Sequence, residues 1–207
     1  MSETSVVFIV DDDRAVRESL SLILEVAGWA VEDYASAEAF LDAYQDDRPA
    51  CLLLDVRMPG MSGLELQKRL AERGVALPII FISGHADVPT SVSAMRSGAL
   101  DFLEKPFRKE QLLQRIHEAL ARAERLHAGQ VERRRVLERL AHLTPREREV
   151  MALVVAGKSN KEIGRILGTS HRTVDIQRAR VMEKMAVNSP QELTALAVRF
   201  GLCGAEA

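Results

Sequence analysis

Acidic residues follow two short apolar segments in the first third of the chain. Three consecutive aspartates, residues 11–13, come directly after the apolar run at 6–10, and Asp55 ends the apolar run at 51–54. Short apolar runs of this kind favour strands buried on both faces of a parallel sheet, although periodicity alone leaves a buried helix open. A single acid in such a place is more often a turn residue than a ligand. The same placement in two segments instead indicates a shared acidic site.

Carboxylates held close together repel one another unless a cation neutralises them, and Mg²⁺ prefers oxygen ligands and keeps several waters. A carboxylate beside such an ion is a competent nucleophile toward phosphorus, so Asp55 could form an aspartyl phosphate. Ser83 and Lys105, which follow two later apolar segments, would supply a hydroxyl and an ammonium group to the phosphoryl oxygens. The chain has no glycine-rich phosphate loop, so the phosphoryl group is expected to come from another protein or from a small donor.

The elements that must position these residues alternate along the first half of the chain. Strand patterns near residues 6, 31, 51, 79 and 101 alternate with five helix patterns, the first of them capped by Asp13 and the last beginning near 109. This alternation predicts a doubly wound, five-stranded parallel α/β sheet of the flavodoxin-like type. Right-handed crossovers place the carboxyl ends of all strands at one edge. We therefore expect Asp11, Asp12, Asp55, Ser83 and Lys105 to meet there.

Charge divides the 207 residues into two unlike halves. Residues 1–124 hold 13 Lys and Arg against 21 Asp and Glu, giving −8, whereas residues 125–207 hold 15 against 9, giving +6. An acidic half joined to a basic half suggests two domains, of which the second meets a polyanion. No apolar run is long enough to span a membrane and the N-terminus has no secretion-signal pattern, so a cytoplasmic location is expected. Cys51 and Cys203 form neither a metal-binding nor a disulfide pattern.

The stretch between the halves is charged and free of proline from 118 to 141. It predicts a largely helical linker in which Gly129 is the expected flexible point. Apolar residues recur there at spacings of three and four, but polar residues interrupt the pattern. A weak coiled-coil seam and a solvated single helix are therefore equally open.

Beyond the linker, capping-box spacings begin at Thr144, Ser159 and Ser189, and Ser170 is a fourth cap. Each is a residue type that accepts hydrogen bonds from the first free N–H groups of a helix. They predict helices at about 145–156, 160–167, 171–186 and 190–200. The second and third of these helices have the proportions of a helix-turn-helix.

The third helix of this group has two contrasting faces. Winding it at the helical period puts Val174, Val181 and Met185 together on the side that must meet the core. The opposite side and its flanks would read base edges and hold phosphates in the major groove of DNA. The candidates for DNA contact are Lys158, Asn160, Lys161, Arg172, Thr173, Asp175, Ile176, Gln177, Arg178, Ala179, Arg180 and Lys184. An ordinary solvated helix is the alternative.

Residues 6 to about 122 resemble the receiver domain of two-component response regulators. The matching motifs are Val10-Asp11-Asp12, the run Leu54-Asp55-Val56-Arg57-Met58-Pro59-Gly60-Met61-Ser62-Gly63, Ile82-Ser83-Gly84 and Lys105-Pro106-Phe107. The resemblance implies that Asp55 accepts phosphate from a sensor histidine kinase. It implies that Asp12, Asp55 and the backbone carbonyl of Arg57 bind Mg²⁺ directly and that Asp11 acts through a metal-bound water. It also implies a cis Lys105–Pro106 bond and switch roles for Ser83 and Phe102.

Residues from about 140 to 203 resemble the LuxR/FixJ-type DNA-binding domain, through Leu143-Thr144-Pro145-Arg146-Glu147, the run at 157–163 and Thr173-Val174. Nearly the whole chain thus resembles FixJ-type response regulators, with a receiver at 1–122, a linker at 123–139 and a four-helix, all-α DNA-binding domain at 140–207. The resemblance places Asp175, Ile176 and Ala179 at base-facing positions. Asp175 and Ala179 lack the positive charge of some relatives, and Gln177 replaces a frequent histidine, so no operator sequence is carried over.

These expectations combine into a DNA-binding transcriptional regulator controlled by phosphorylation of Asp55. A homodimer formed through the fourth helix, fifth strand and fifth helix would bind duplex DNA, with RNA polymerase as a further partner. Its only catalysis would be its own phosphorylation and dephosphorylation. Two other classes stay open from the sequence: a metal-dependent phosphotransferase or haloacid-type hydrolase that uses Asp55, and a phospho-dependent protein or RNA adaptor.

Overall fold

The computed structural model describes residues 5–45, 48–84 and 88–202 of the chain. The chain forms two compact units, residues 1–128 and residues 129–207. The boundary between them falls inside the predicted linker at 123–139. Cys203 lies outside the described residues.

A single five-stranded parallel sheet forms the centre of unit 1, with strand order β2-β1-β3-β4-β5. Its strands are β1 (Val6–Val10), β2 (Ala30–Tyr34), β3 (Ala50–Asp55), β4 (Ile79–Ser83) and β5 (Asp101–Glu104). All four pairings are parallel. The predicted doubly wound sheet is therefore confirmed, and so is the common edge at which its strands end.

The helices α1 (Arg14–Val26), α2 (Ala37–Ala43), α3 (Gly63–Glu72), α4 (Val88–Arg96) and α5 (Lys109–Ala141) follow the five strands in turn. Successive strand residues point to opposite faces, so each strand feeds two cores. Phe8, Leu54 and Phe81 belong to the core on one face, and Ile9 and Leu53 to the core on the other. The sheet is thus buried on both sides, as its uninterrupted apolar runs predict.

Helix α5 is 33 residues long and continues through Gly129. Its first half packs Leu112, Ile116 and Leu120 against the sheet in unit 1. Its last turns contribute Val136, which is almost fully buried in the core of unit 2. The segment predicted as a helical linker is therefore helical and supplies part of a core.

Unit 2 consists of the end of α5 followed by α6 (Pro145–Val155), α7 (Asn160–Leu167), α8 (His171–Met185) and α9 (Pro190–Phe200). The four predicted caps all accept a backbone N–H at their helix starts. Two of the three predicted capping boxes are complete. In the third, Glu192 accepts from the backbone N–H of Asn188, at 2.7 Å, instead of returning to Ser189.

Among the described residues, no helix combines the length and the apolar character that crossing a bilayer requires.

Candidate functional site

The carboxyl ends of β1, β3 and β5 bring together two acids and one lysine. Val10 lies beside Leu54 in the β1–β3 register, so the acids that follow them, Asp11 and Asp55, are neighbours. Lys105, just beyond β5, places its Nζ 2.9 Å from Asp11 Oδ2 and 3.4 Å from Asp55 Oδ1. Three side chains far apart in the chain thus form one cluster at the sheet edge.

Burial makes the electrostatics of this cluster strong. The Asp11 side chain is 4% exposed, Asp55 12% and Lys105 26%. Burial raises the pKa of the Asp55 carboxyl and the charge of Asp11 raises it further, although the N–H of Arg57 and the ammonium of Lys105 oppose the rise. Burial lowers the pKa of Lys105, but hydrogen bonds and charges from Asp11 and Asp55 outweigh it, so the net pKa is raised. The lysine therefore stays cationic and offsets part of the repulsion between the acids.

The backbone fixes both carboxylates. Asp11 Oδ1 accepts from the N–H of Asp13 at 2.9 Å, and Asp55 Oδ2 accepts from the N–H of Arg57 at 2.7 Å. Each acid keeps its second oxygen toward Lys105. Oδ1 is therefore the oxygen of Asp55 that faces the ammonium group of Lys105.

The loop after Asp55 is held against β3 by a glycine and a glutamate. A Cβ on Gly63 would lie 2.2 Å from the carbonyl oxygen of Asp55, so only glycine fits at the start of α3. Glu38 in α2 accepts from the N–H of Met61 at 2.9 Å. Because of these contacts, the backbone around Arg57 is fixed by both of its neighbouring helices.

The predicted magnesium ligands are only partly gathered. Asp12 is exposed, and within the described ranges no group of three or more His, Cys, Asp or Glu side chains is spaced to hold a metal. Asp11 and Asp55 lie close together at this edge, and the carboxylate of Asp12, the next residue after Asp11, faces solvent. This donor set fits Mg²⁺, which is commonly bound through one or two carboxylates with several waters.

The other predicted residues of unit 1 lie along the same edge. Ser83 is buried, and its carbonyl accepts from the N–H of Lys105 at 2.8 Å. The ring of Phe102 stacks on Phe81 with centroids 6.2 Å apart. The Lys105–Pro106 bond is cis, which confirms that expectation.

In unit 2, α8 has the two faces that its sequence predicts. Val174, Val181 and Met185 are fully buried. The exposed candidates for DNA contact are Lys158, Lys161, Arg172, Thr173, Asp175, Ile176, Ala179 and Arg180, and the half-buried ones are Asn160, Gln177 and Arg178. Ile176 keeps 49% of its surface exposed.

A polar network joins the start of α7 to α8 across the turn. Asn160 donates to Asp175 Oδ1 and accepts from Arg178. His171 Nδ1 lies 3.0 Å from Asp175 Oδ2. Each oxygen of Asp175 thus has a neighbour within the domain, and half of the side chain is still exposed to solvent.

Comparison with known proteins shows the family to which the chain belongs. The family model for the response regulator receiver domain matches residues 7–117, and the model for bacterial regulatory proteins of the luxR family matches 141–197. The transcriptional regulatory protein FixJ of Bradyrhizobium diazoefficiens is 44% identical over 196 residues, covering 95% of this chain and 96% of the relative. The chain belongs to the FixJ-type response regulators.

Two further relatives agree with this membership. FixJ of Azorhizobium caulinodans is 45% identical over 206 residues, covering 100% of this chain and 98% of the relative. A solved structure of the response regulator StyR superposes with a TM-score of 0.84 at 38% identity, covering 95% of this chain and 99% of that one. This response regulator therefore pairs a receiver domain with a LuxR-type DNA-binding domain.

One predicted DNA contact of the response regulator also makes contacts within unit 2. Lys184 donates from Nζ to Glu147 Oε2 at 2.6 Å and to the carbonyl of His142 at 3.2 Å. Glu147 is buried, and it also accepts from the Thr144 N–H. The ammonium of Lys184, the N–H of Thr144 and its hydroxyl hold the pKa of Glu147 at about 2. Lys184 thus joins the end of α8 to the start of α6.

Sequence reasoning missed Arg17 altogether. Its Nη1 donates to the carbonyls of Asp11 and Asp12 at 2.9 and 3.2 Å, and its Nε donates to Asp33 Oδ2 at 2.8 Å. The guanidinium of Arg17 therefore fixes the backbone of Asp11 and Asp12 through their carbonyl groups. Its position one turn after the cap Asp13 was the available signal, but a surface ion pair explains such a residue equally well.

Proposed function

We propose that a sensor histidine kinase phosphorylates Asp55, and that phosphorylation controls binding of unit 2 to duplex DNA and thereby transcription. One observation carries the proposal: Lys105 reaches both Asp11 and Asp55 at the edge where the strands end. A lysine held between two buried acids, with solvent on its remaining side, suits a site that receives a phosphoryl group.

In the transfer, Asp55 Oδ1 attacks the phosphorus of a phosphohistidine. A P–O bond forms, the P–N bond breaks, and the leaving imidazole takes a proton from solvent. The ammonium group of Lys105 then moves from Asp55 to the phosphoryl oxygens. It can leave Asp55 because this contact, at 3.4 Å, is longer and weaker than its contact with Asp11, at 2.9 Å. The Ser83 hydroxyl donates to another oxygen. Asp11, Asp12, Asp55 and the carbonyl of Arg57 would hold Mg²⁺, which supplies positive charge against the phosphoryl oxygens when bound.

Phosphorylation then biases a receiver with two states. Movement of Ser83 toward the phosphate opens space for Phe102, whose ring already packs against Phe81. Phe102 has no hydroxyl, so packing alone drives its rotation. The surface formed by α4, β5 and α5 becomes a symmetric dimer interface. Once one DNA-binding unit of the dimer is bound, the other is held near the same duplex at a high effective concentration, which tightens binding of the dimer.

On DNA, α8 lies in the major groove with Asp175, Ile176 and Ala179 toward the base edges. Lys158, Lys161, Arg172, Arg178 and Arg180 neutralise phosphates beside the groove, together with the polar side chains of Asn160, Thr173 and Gln177. RNA polymerase is the expected further partner. The expected location is the cytoplasm, where the phosphorylated regulator would meet DNA and the polymerase.

The test compares Asp55→Asn with Asp42→Asn, an aspartate exposed on α2. Acetyl phosphate with Mg²⁺ should shift the wild type and Asp42→Asn on a phosphate-affinity gel and leave Asp55→Asn unshifted. Phosphorylation should tighten duplex binding of the first two proteins only. A shifted Asp55→Asn band contradicts the assignment of the acceptor, and equal DNA affinity with and without phosphate contradicts the control of binding.

A further inference from the structure

The surface of unit 2 that the proposal turns toward DNA carries more basic than acidic side chains. Asp175 is an exposed acid on α8, the helix that also carries Arg172, Arg178 and Arg180. Near the phosphates of a duplex, a carboxylate is repelled unless a specific donor meets it. The position of this acid therefore calls for a hydrogen-bond donor on the DNA side.

The contacts of Asp175 orient it for such a role. Asn160 donates to Oδ1 and is itself held by Arg178, while His171 lies 3.0 Å from Oδ2. A carboxylate accepts at about four lone-pair sites, and these neighbours occupy one site on each oxygen. The remaining sites lie on the half of the side chain that is exposed. The carboxylate is thus pre-positioned and still able to accept from outside the domain.

We infer that Asp175 determines base specificity by accepting a hydrogen bond from the N4 amino group of cytosine; this inference rests on the proposed DNA-binding function. A carboxylate is an acceptor only. Cytosine shows only a donor in the major groove, whereas adenine shows a donor beside the N7 acceptor, and guanine and thymine show acceptors. Asp175 therefore favours cytosine, tolerates adenine less well and repels the other two bases.

A purely structural role for the same network makes a different prediction. If Asp175 only ties α8 to α7, its loss changes affinity for all duplexes alike and leaves the preferred sequence unchanged. If it reads a base, its loss changes the preference at one position of each half-site. The readout is therefore the preferred base at each position, and affinity alone does not decide.

The experiment uses the full chain, phosphorylated with acetyl phosphate and Mg²⁺, and selects duplexes from a randomised library. The wild type should select cytosine at one position per half-site and discriminate against guanine or thymine there by about five- to a hundredfold. Asp175→Asn should shift this position to adenine, since an amide pairs with both N6 and N7. Asp175→Ala should lose the preference there.

Glu138→Gln is the matched control, because it removes one negative charge from an exposed residue of α5 in the same unit and leaves α8 intact. It should keep the cytosine. If the wild type and Asp175→Asn select the same bases at every position, the inference is overturned while the proposed function stands. If the wild type binds no duplex, the proposed function fails and takes the inference with it. If Asp175→Asn does not fold, as judged by circular dichroism, a cytosine preference kept by Asp175→Ala overturns the inference.

Discussion

The two sites of this response regulator are built in opposite ways. The acidic site of unit 1 collects Asp11, Asp55 and Lys105, which are separated by as many as 94 positions, and buries most of them. The DNA-facing surface of unit 2 comes from two consecutive helices and is largely exposed. A site of the first kind exists only when the whole sheet is formed. A site of the second kind needs little more than one helix-turn-helix and its caps.

The two sites also share a feature. Each contains a residue of opposite charge: Lys105 lies between two acids, and Asp175 lies on a helix that carries Arg172, Arg178 and Arg180. In both places this residue is held by hydrogen bonds or ion contacts from its own unit. In both proposals this residue contacts the ligand: Lys105 the phosphoryl group and Asp175 a base.

The largest effect is expected from a substitution that disturbs the packing on which the acidic site depends. Gly63→Ala puts a Cβ against the Asp55 carbonyl and should lower the free energy of unfolding of unit 1 by about 3 kcal/mol, through a clash with backbone that cannot yield. Gly129→Ala, whose added Cβ meets nothing within 4 Å, should instead stabilise α5 by about 0.5–1 kcal/mol. Denaturant titration followed by Trp29 fluorescence reports on unit 1. Equal stability of the wild type and Gly63→Ala would refute the close approach.

A smaller loss is expected where unit 2 also depends on a tertiary contact. Glu147→Gln removes the partner of Lys184 and should cost about 2 kcal/mol, because a half-buried ammonium loses its charged acceptor. Glu65→Gln in the capping box of α3 should cost less, since Glu65 is exposed to solvent and accepts from the N–H and hydroxyl of Ser62.

The same pair gives a pH signature. The pKa of Glu147 is lowered from 4.5 to about 2 in the folded protein. A lowered carboxyl pKa contributes stability that is complete above the unfolded value and is lost as the pH falls toward the folded one. The protection factors of the α6 and α8 amides, which compare observed with intrinsic exchange rates, should therefore fall between about pH 5 and 2 in the wild type, and Glu147→Gln should lack this part of the slope. An identical slope in both proteins counts against the ion pair.

Arg17 tests how far the acidic site depends on support from behind. Arg17→Lys keeps the charge but loses the fork in which Nη1 donates to the carbonyls of Asp11 and Asp12 while Nε donates to Asp33. We expect about tenfold weaker Mg²⁺ binding, as is typical when a supporting partner of a metal ligand is removed. Isothermal calorimetry measures it, with Arg14→Lys, an exposed pair with Glu18 on the same helix, as the control. Unchanged Mg²⁺ affinity in Arg17→Lys would leave Arg17 a purely structural residue.

The smallest effect is expected at an exposed ion pair. Glu132 and Arg199 lie 2.7 Å apart with about half of each side chain exposed. Glu132→Gln should lower the stability of unit 2 by less than about 1 kcal/mol, and added salt should reduce the difference. A loss as large as that of Glu147→Gln would erase the contrast between buried and exposed contacts.

The predictability of each site follows from its construction. Asp11, Asp55 and Lys105 could be placed together because parallel strands with right-handed crossovers end at one edge. The buried side of α8 could be placed because helical periodicity needs no partner. The ion pair of Lys184 with Glu147 was not predicted, because it depends on the angle between two helices, which periodicity does not contain. The exposed position of Asp12 and the contacts of Arg17 escaped prediction for the same reason.

The sequence by itself determined the order of strands and helices, the caps that begin the last four helices, and the residue types gathered at each site. These depend on local propensity and on the two periodicities of the backbone. Only the tertiary structure decided which polar groups face one another. Lys105 lies between Asp11 and Asp55, and Glu147 pairs with Lys184, because distances of a few ångströms are set by packing across elements.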